Sequence, residues 1–299
     1  IDSGLDKRWL AEDLKNALAA AVVPDCSFEG CSSCGVCGPE LGHNVVIPPP
    51  PIPPALPQRA PASERVCRLR IGFAKTGSLA LISHLDTLRL LERALRRTGQ
   101  PVSFTGGFHP LPRLQLALSL PLGVEGLGEW MDVEFTEAVD PAVVRERLQA
   151  ELTAELQLLS ATEVPVFGPS LSQELAAARW SFALLIDSDP HSPAPPPPEL
   201  SATDWQQAVE SLLAATSLVW HDSDKKGRPR QRECRPDLLE LELQLVSDAD
   251  AVQLHSLVAI DPQGRSIRPQ QIQQWLAERL GRPLSLRAVR REALQLRAC

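Results

Sequence analysis

The chain of 299 residues contains no tyrosine and a single methionine, and its aromatic content is 4%. It therefore lacks the aromatic surface on which ribonucleoprotein-type sheets stack bases. No apolar run reaches 18 residues, so no membrane-spanning helix is expected. Positive charge is not in excess. Thirty Lys and Arg face 37 Asp and Glu, a net −7 at pH 7. That argues against broad coating of nucleic acid and leaves room only for a local basic patch; DNA is not an expected partner. The N-terminal 21 residues form a charged amphipathic stretch, not a basic segment followed by an apolar core. Without a secretory signal, the cytoplasm is the expected compartment. An initiator methionine is missing as well: the chain opens on Ile1 and its methionine is Met131. A fragment, a processed product or an unusual start would look like this. What is present, 43% hydrophobic and 22% charged residues, is the composition of a folded chain of about two domains.

Two residue types are abundant: 28 prolines and seven cysteines. Cys26, Cys31, Cys34 and Cys37 read C-x4-C-x2-C-x2-C, while Cys67, Cys234 and Cys299 are scattered. In a reducing compartment such clusters are metal ligands more often than disulfides. Four thiolates can close a tetrahedral zinc site or hold an iron–sulfur cluster, and the spacing leaves both open. Helical periodicity over residues 5–21 precedes this knuckle. Residues 48–63 then carry eight prolines, a polyproline-II tether. The division that follows is 1–47 with the cysteine cluster, a linker at 48–63, and a larger domain at 64–299.

Within 64–299 the patterning is regular. Residues 66–73 alternate as a half-buried strand does. Ser83 caps a helix reaching about 98, with Asp86 in its first turn and Leu85, Leu88, Leu91 and Leu95 as its buried stripe. Strands are expected at 114–122 and 130–135. Asp140 and Pro141 open a helix to about 156, and a strand follows at 156–164. The order is β-α-β-β-α-β, so the fold class is α+β with a ferredoxin-like first half at about 64–168. A second α+β half, at about 176–299, has strands at 180–187, 217–221, 238–246, 253–260 and 284–296. Its helices are at 201–215 and 269–280, and a proline-rich loop occupies 189–199.

The stretch RIGFAKTGSLALISHLDTLRLLERALRRTGQPVSFTGGFHPLPRLQLALSLPLGVEGLGEWMDVEF, residues 70–135, resembles the radical-SAM-linked domain of unknown function (DUF2344 type). The markers are S-H-L-D at 83–86, R-A-L-R-R at 93–97, G-F-H-P-x-P at 107–112 and P-L-G-V-E at 121–125. KKGRPR at 225–230 and IRPQQIQQWL at 267–276 also fit. Residues 1–38 are similar to the C-terminal tail of a cobalamin-binding-type radical SAM protein. The resemblance implies the C-terminal accessory, substrate-binding region of a radical SAM protein, with a radical SAM domain, fused or separate, as partner. The C-x3-C-x2-C motif that binds the catalytic cluster is absent, so S-adenosylmethionine would enter only through an upstream domain. This chain alone is then not expected to be catalytic.

The polar residues fit several roles. His84 and Asp86 sit on the first turn behind the Ser83 cap, and His109 lies on a loop stiffened by Gly106, Gly107, Pro110 and Pro112. His84, Asp86 and His109 are the candidates for proton transfer. Lys75, Arg93, Arg97, His109 and Arg113 are the candidates for contact with an anionic substrate. Arg89, Arg93, Arg96 and Arg97 share one helix face, and Arg96 and Arg97 also complement the helix dipole. RNA is a candidate substrate through phosphate contacts. A free-standing RNA-binding or RNA-modifying protein and a structural protein-interaction module are the alternatives.

Overall fold

Helices begin where the sequence offers an acceptor to their free N–H groups. The computed structural model describes residues 4–37, 60–187, 200–223, 227–245 and 251–297. In it Asp6 accepts from the Arg8 and Trp9 N–H groups to start α1 (Lys7–Leu18). Ser83 caps α2 (His84–Arg97), Asp140 caps α3 (Pro141–Ala150) and Ser201 caps α4 (Ala202–Ala214). α5 (Pro269–Leu280) opens on its proline and ends at Gly281, whose φ of 61° suits glycine.

The chain divides into two compact units, Ile1–Gln58 and Arg59–Cys299. In the first, α1 buries none of its residues. Most of the proline tether (residues 48–59), residues 189–199, Lys225, Lys226, Val246 and Cys299 lie outside the described residues. The tether's last residues are held: Ala60 pairs with Gly107, and the Ser63 N–H donates to the Phe104 carbonyl at 3.0 Å.

The second unit is a mixed α+β structure built on a large sheet. Its strands are β1 (Cys67–Lys75), β2 (Leu114–Leu116), β3 (Glu125–Phe135), β4 (Leu156–Val164), β5 (Leu175–Ile186), β6 (Val219–Ser223), β7 (Pro229–Glu233), β8 (Leu238–Leu245), β9 (Ala251–Ala259) and β10 (Leu284–Leu296). Eight of them form one sheet in the order β4-β1-β3-β10-β5-β9-β8, with β2 also beside β3; β6 and β7 form a separate hairpin. Every pairing inside β1–β4 is antiparallel, and so is every pairing among β5, β8, β9 and β10. In each half the first strand lies between the fourth and the third, and the second pairs with the third. The halves meet where β10 runs parallel to β3 at Arg290↔Glu125 and Arg291↔Gly126. Gly128 permits this approach, because a Cβ there would lie 2.8 Å from the Glu292 carbonyl oxygen.

Each half has its own apolar core. Leu69, Ile71, Leu91, Leu95, Val133 and Leu148 anchor the first; Phe182, Leu212, Leu254, Ile272 and Leu276 anchor the second. β1 is buried on both faces. Its apolar side chains enter the first core, while Arg68 and Arg70 on the other face both pair with Asp132, at 2.6 and 2.9 Å. Arg68 also donates to the Pro169 carbonyl and Arg70 pairs with Glu174, so the segment joining the halves is tied across this face.

Three local expectations are corrected. The strand expected at 114–122 stops at Leu116, because β10 takes the place beside β3 and the Leu118 and Ser119 carbonyls accept from Arg291 instead. Leu85 is exposed rather than part of the α2 stripe; Thr87, Leu91, Ala94 and Leu95 fill it. β7 had no apolar alternation to announce it, since its residues are polar and largely exposed.

Asp132 carries the charge balance of two buried guanidinium groups. Asp132→Asn is expected to cost about 3–5 kcal/mol of unfolding free energy, measured by urea denaturation, because both arginines would lose their buried carboxylate.

Candidate functional site

β1, α2 and β3 bring three ionisable side chains to one small cavity: Lys75 at the end of β1, His84 on the first turn of α2, and Glu129 on β3. Phe73, Leu116, Leu118 and Leu120 supply apolar walls. The cavity volume is ≈ 20 Å³, room for about one water. Lys75 is 2% exposed, and its Nζ donates to the Ile82 carbonyl at 3.2 Å. Burial pushes its ammonium below the usual lysine range; the Glu129 charge opposes this and the Arg291 charge adds to it. Burial likewise lowers His84, with the charges of Lys75 and Arg291 in the same direction and Glu129 against.

Glu129 does not bond to Lys75. Arg291 on β10, itself 1% exposed, takes both of its oxygens, with Nε 2.7 Å from Oε1 and Nη2 2.6 Å from Oε2. The same guanidinium donates to the Ser119 and Leu118 carbonyls at 3.1 and 3.2 Å, and it lies 5.4 Å from the centre of the Trp180 ring. Four of its five N–H donors are thus engaged.

On the far side of this pair lies a cleft of ≈ 830 Å³. Arg291 and Trp180 line one part of it; Trp220, Arg230 and Arg232 come from the β6–β7 hairpin, and Arg265, Arg268 and Gln271 from the loop and first turn of α5. Two of the four hairpin and loop arginines are already paired, Arg232 with Asp237 at 2.5 Å and Arg265 with Asp261 at 2.7 Å. Arg230 and Arg268 have no carboxylate partner among the described residues. Trp220 meets Trp275 edge-on at 6.1 Å, which fixes its ring. The Trp180 Nε1 is buried without a hydrogen-bond partner among the described residues. The cleft thus offers cations without carboxylate partners and an oriented aromatic ring.

The other residues singled out in the sequence are dispersed. Asp86 is exposed and bound to Ser83, so its role is capping; that bond, more than the nearby Arg89 charge, keeps its carboxyl below the usual range. Arg97 joins α2 to α3 through Glu151 at 2.6 Å. Arg93 and His109 are exposed. Arg113 faces Glu134 at 3.9 Å, but that carboxylate is held bidentately by Arg65. None of these five lines the cavity or the cleft. Lys75, expected as a surface contact, is instead buried beside His84.

Among the cysteines of the knuckle, Cys34 is half-buried and Cys26, Cys31 and Cys37 are exposed. The Ser33 N–H donates to the Cys31 Sγ at 3.3 Å. Among the described residues no three His, Cys, Asp or Glu side chains gather as a metal site would need.

Glu129 and Arg291 carry no signal in the sequence. Both sit on strands where alternation marks only a face, and their pairing depends on β10 crossing beside β3.

The hairpin carrying Trp220 and Arg230 is closed at its base by Glu233. Its carboxylate accepts from the Ser217 hydroxyl and from the Leu218 and Arg235 N–H groups, the latter two at 2.8 Å. These bonds, the Ser217 hydroxyl foremost, hold its pKa down at about 2 against an ordinary 4.5. A depressed carboxylate stabilises above its unfolded pKa and stops doing so as pH falls through its folded one. In the folded chain the Leu218 and Arg235 amide resonances should therefore titrate with a midpoint near pH 2 and not near the ordinary 4.5; Glu233→Gln should shift them already at neutral pH.

No curated protein matches the chain. A solved structure, the crystal structure of a putative glycine cleavage system transcriptional repressor, aligns at 12% identity over 75% of this chain and 98% of that chain, with a TM-score of 0.21. Residues 68–269 match the family described as "uncharacterized protein conserved in bacteria (DUF2344)". That match spans more than half of the chain, and the chain belongs to this family.

Proposed function

We propose that the chain is the substrate-binding accessory region of a radical SAM protein, and that the substrate it holds is RNA, in the arginine- and tryptophan-lined cleft. The reading places both halves in the ferredoxin-like class, on the strand order they share, and places the protein in the cytoplasm. The link to a radical SAM partner rests on the motifs at 83–86, 93–97, 107–112 and 121–125, together with the similarity of residues 1–38 to the tail of such a protein.

The observation that carries the RNA reading is the charge count inside the cleft. A chain of net −7 nevertheless lines one concave surface with Arg230, Arg232, Arg265, Arg268 and Arg291 against one carboxylate, Asp222, which stands opposite Arg230 in the hairpin register; Arg230 and Arg268 form no ion pair with a described carboxylate. Guanidinium groups pair with phosphate oxygens in bidentate geometry. Trp220 supplies a fixed ring on which one base can stack, which compensates for the low aromatic content elsewhere. At ≈ 830 Å³ the cleft exceeds what a single phosphate ion needs. The His109 loop and the α2 arginine face, the earlier candidates, do not converge on it.

The test is anisotropy titration of the full chain with a short single-stranded RNA at several salt concentrations. Binding should weaken with salt. The Arg230→Ala/Arg268→Ala variant should lower affinity by about tenfold or more and reduce the log–log salt slope by about 1.4, two phosphate contacts at about 0.7 each. Unchanged affinity in that variant would remove the cleft as the RNA site.

A further inference from the structure

Lysine is rare here. Of 30 basic residues five are lysine: Lys7, Lys15, Lys75, Lys225 and Lys226. Where the fold needs a permanent buried cation it uses arginine, as at Arg68, Arg70 and Arg291. Arginine keeps its proton in proteins, whereas a buried lysine can lose it and expose a nitrogen lone pair. The one buried cation on the small cavity is the lysine. Its surroundings withhold what would keep it charged: both Glu129 oxygens belong to Arg291, and Lys75 forms no ion pair with any described carboxylate. Its one hydrogen bond goes to the Ile82 carbonyl. The walls are largely apolar, and a second cation, Arg291, stands behind Glu129. The His84 imidazole faces the same cavity, and burial favours its neutral form, which can accept a proton and return it.

We propose that Lys75 is an amine nucleophile that captures a small aldehyde as an imine, with His84 moving the proton. The amine nitrogen attacks the carbonyl carbon, forming the C–N bond while the C=O π pair moves to oxygen. His84 takes a proton from the nitrogen and delivers it to that oxygen, giving a neutral carbinolamine. A second proton passes the same way, the C–O bond breaks, and water leaves as the C=N bond forms. No oxidant or metal enters the balance. A cavity of ≈ 20 Å³ restricts the ligand to an aldehyde of about one carbon. This site is separate from the RNA cleft and stands or falls without it.

The test treats the folded full chain with formaldehyde and cyanoborohydride near neutral pH, and measures N-methylation at each of the five lysines by peptide mass spectrometry. Early methylation of Lys75 should exceed that of every other lysine, since a lowered pKa raises the free-amine fraction. The preference should vanish when the chain is unfolded in urea, and His84→Ala should slow Lys75 without changing Lys7 or Lys15. Methylation of Lys75 no faster than that of the other four in the folded chain would overturn the proposal. So would a preference that persists in urea.

Discussion

The bidentate pair of Arg291 and Glu129 is the constraint on which both halves depend. β10 and β3 share two register positions where they run side by side, too few to hold two four-stranded arrays by backbone bonding alone. The side chains complete the joint. Glu129 is enclosed by Arg291, Arg291 by two carbonyls and the Trp180 ring, and the Trp130 indole N–H donates across to the Leu294 carbonyl at 2.9 Å. Burying two charges is costly unless their hydrogen bonds are filled. Here four of the five guanidinium N–H donors and both oxygens of the carboxylate have partners, which offsets the desolvation cost.

The same pair divides two chemically different spaces. On one side the apolar cavity holds an amine deprived of its carboxylate; on the other an open cleft presents free guanidinium groups. The difference follows from who holds Glu129. Were its oxygens shared with Lys75, they would favour the ammonium form and the cavity would be one more buried ion pair. In the proposed reading, with Arg291 held inside the joint, anion binding in the cleft falls to Arg230 and Arg268, a set separate from the structural networks at Asp132 and at Glu151. The α2 arginine face shows the distinction: Arg97 belongs to the packing of α3 and Asp86 to a cap, although in sequence both stand within a run of charge.

Periodicity located strands whose apolar side chains recur at every second position, β1 among them although both its faces are buried. β1, β4 and β10 lie close to where the pattern places them, and the Ser83, Asp140 and Ser201 caps mark the helix starts. It failed where the residues are polar throughout or where the partner is remote. β7 is polar throughout, so nothing separates it from a loop until β6 pairs with it. Leu118 to Leu122 alternates well but loses its strand partner to β10, a competition between segments about 170 residues apart. Of the candidate site, His84 and Lys75 were each visible as residues, yet their meeting on one cavity was not. Glu129 and Arg291 were invisible, because a charged residue on a strand signals solvent until topology shows that the face is covered.

The account's central claim is that Arg291 and Glu129 act as one unit joining the two halves. A double-mutant cycle in urea denaturation, with Arg291→Met, Glu129→Gln and the pair, measures this directly. The account predicts a coupling energy of about 2 kcal/mol or more between the two positions. Additivity to within about 0.5 kcal/mol would contradict it, and would mean that the sheet is held across the joint by its backbone and apolar contacts alone.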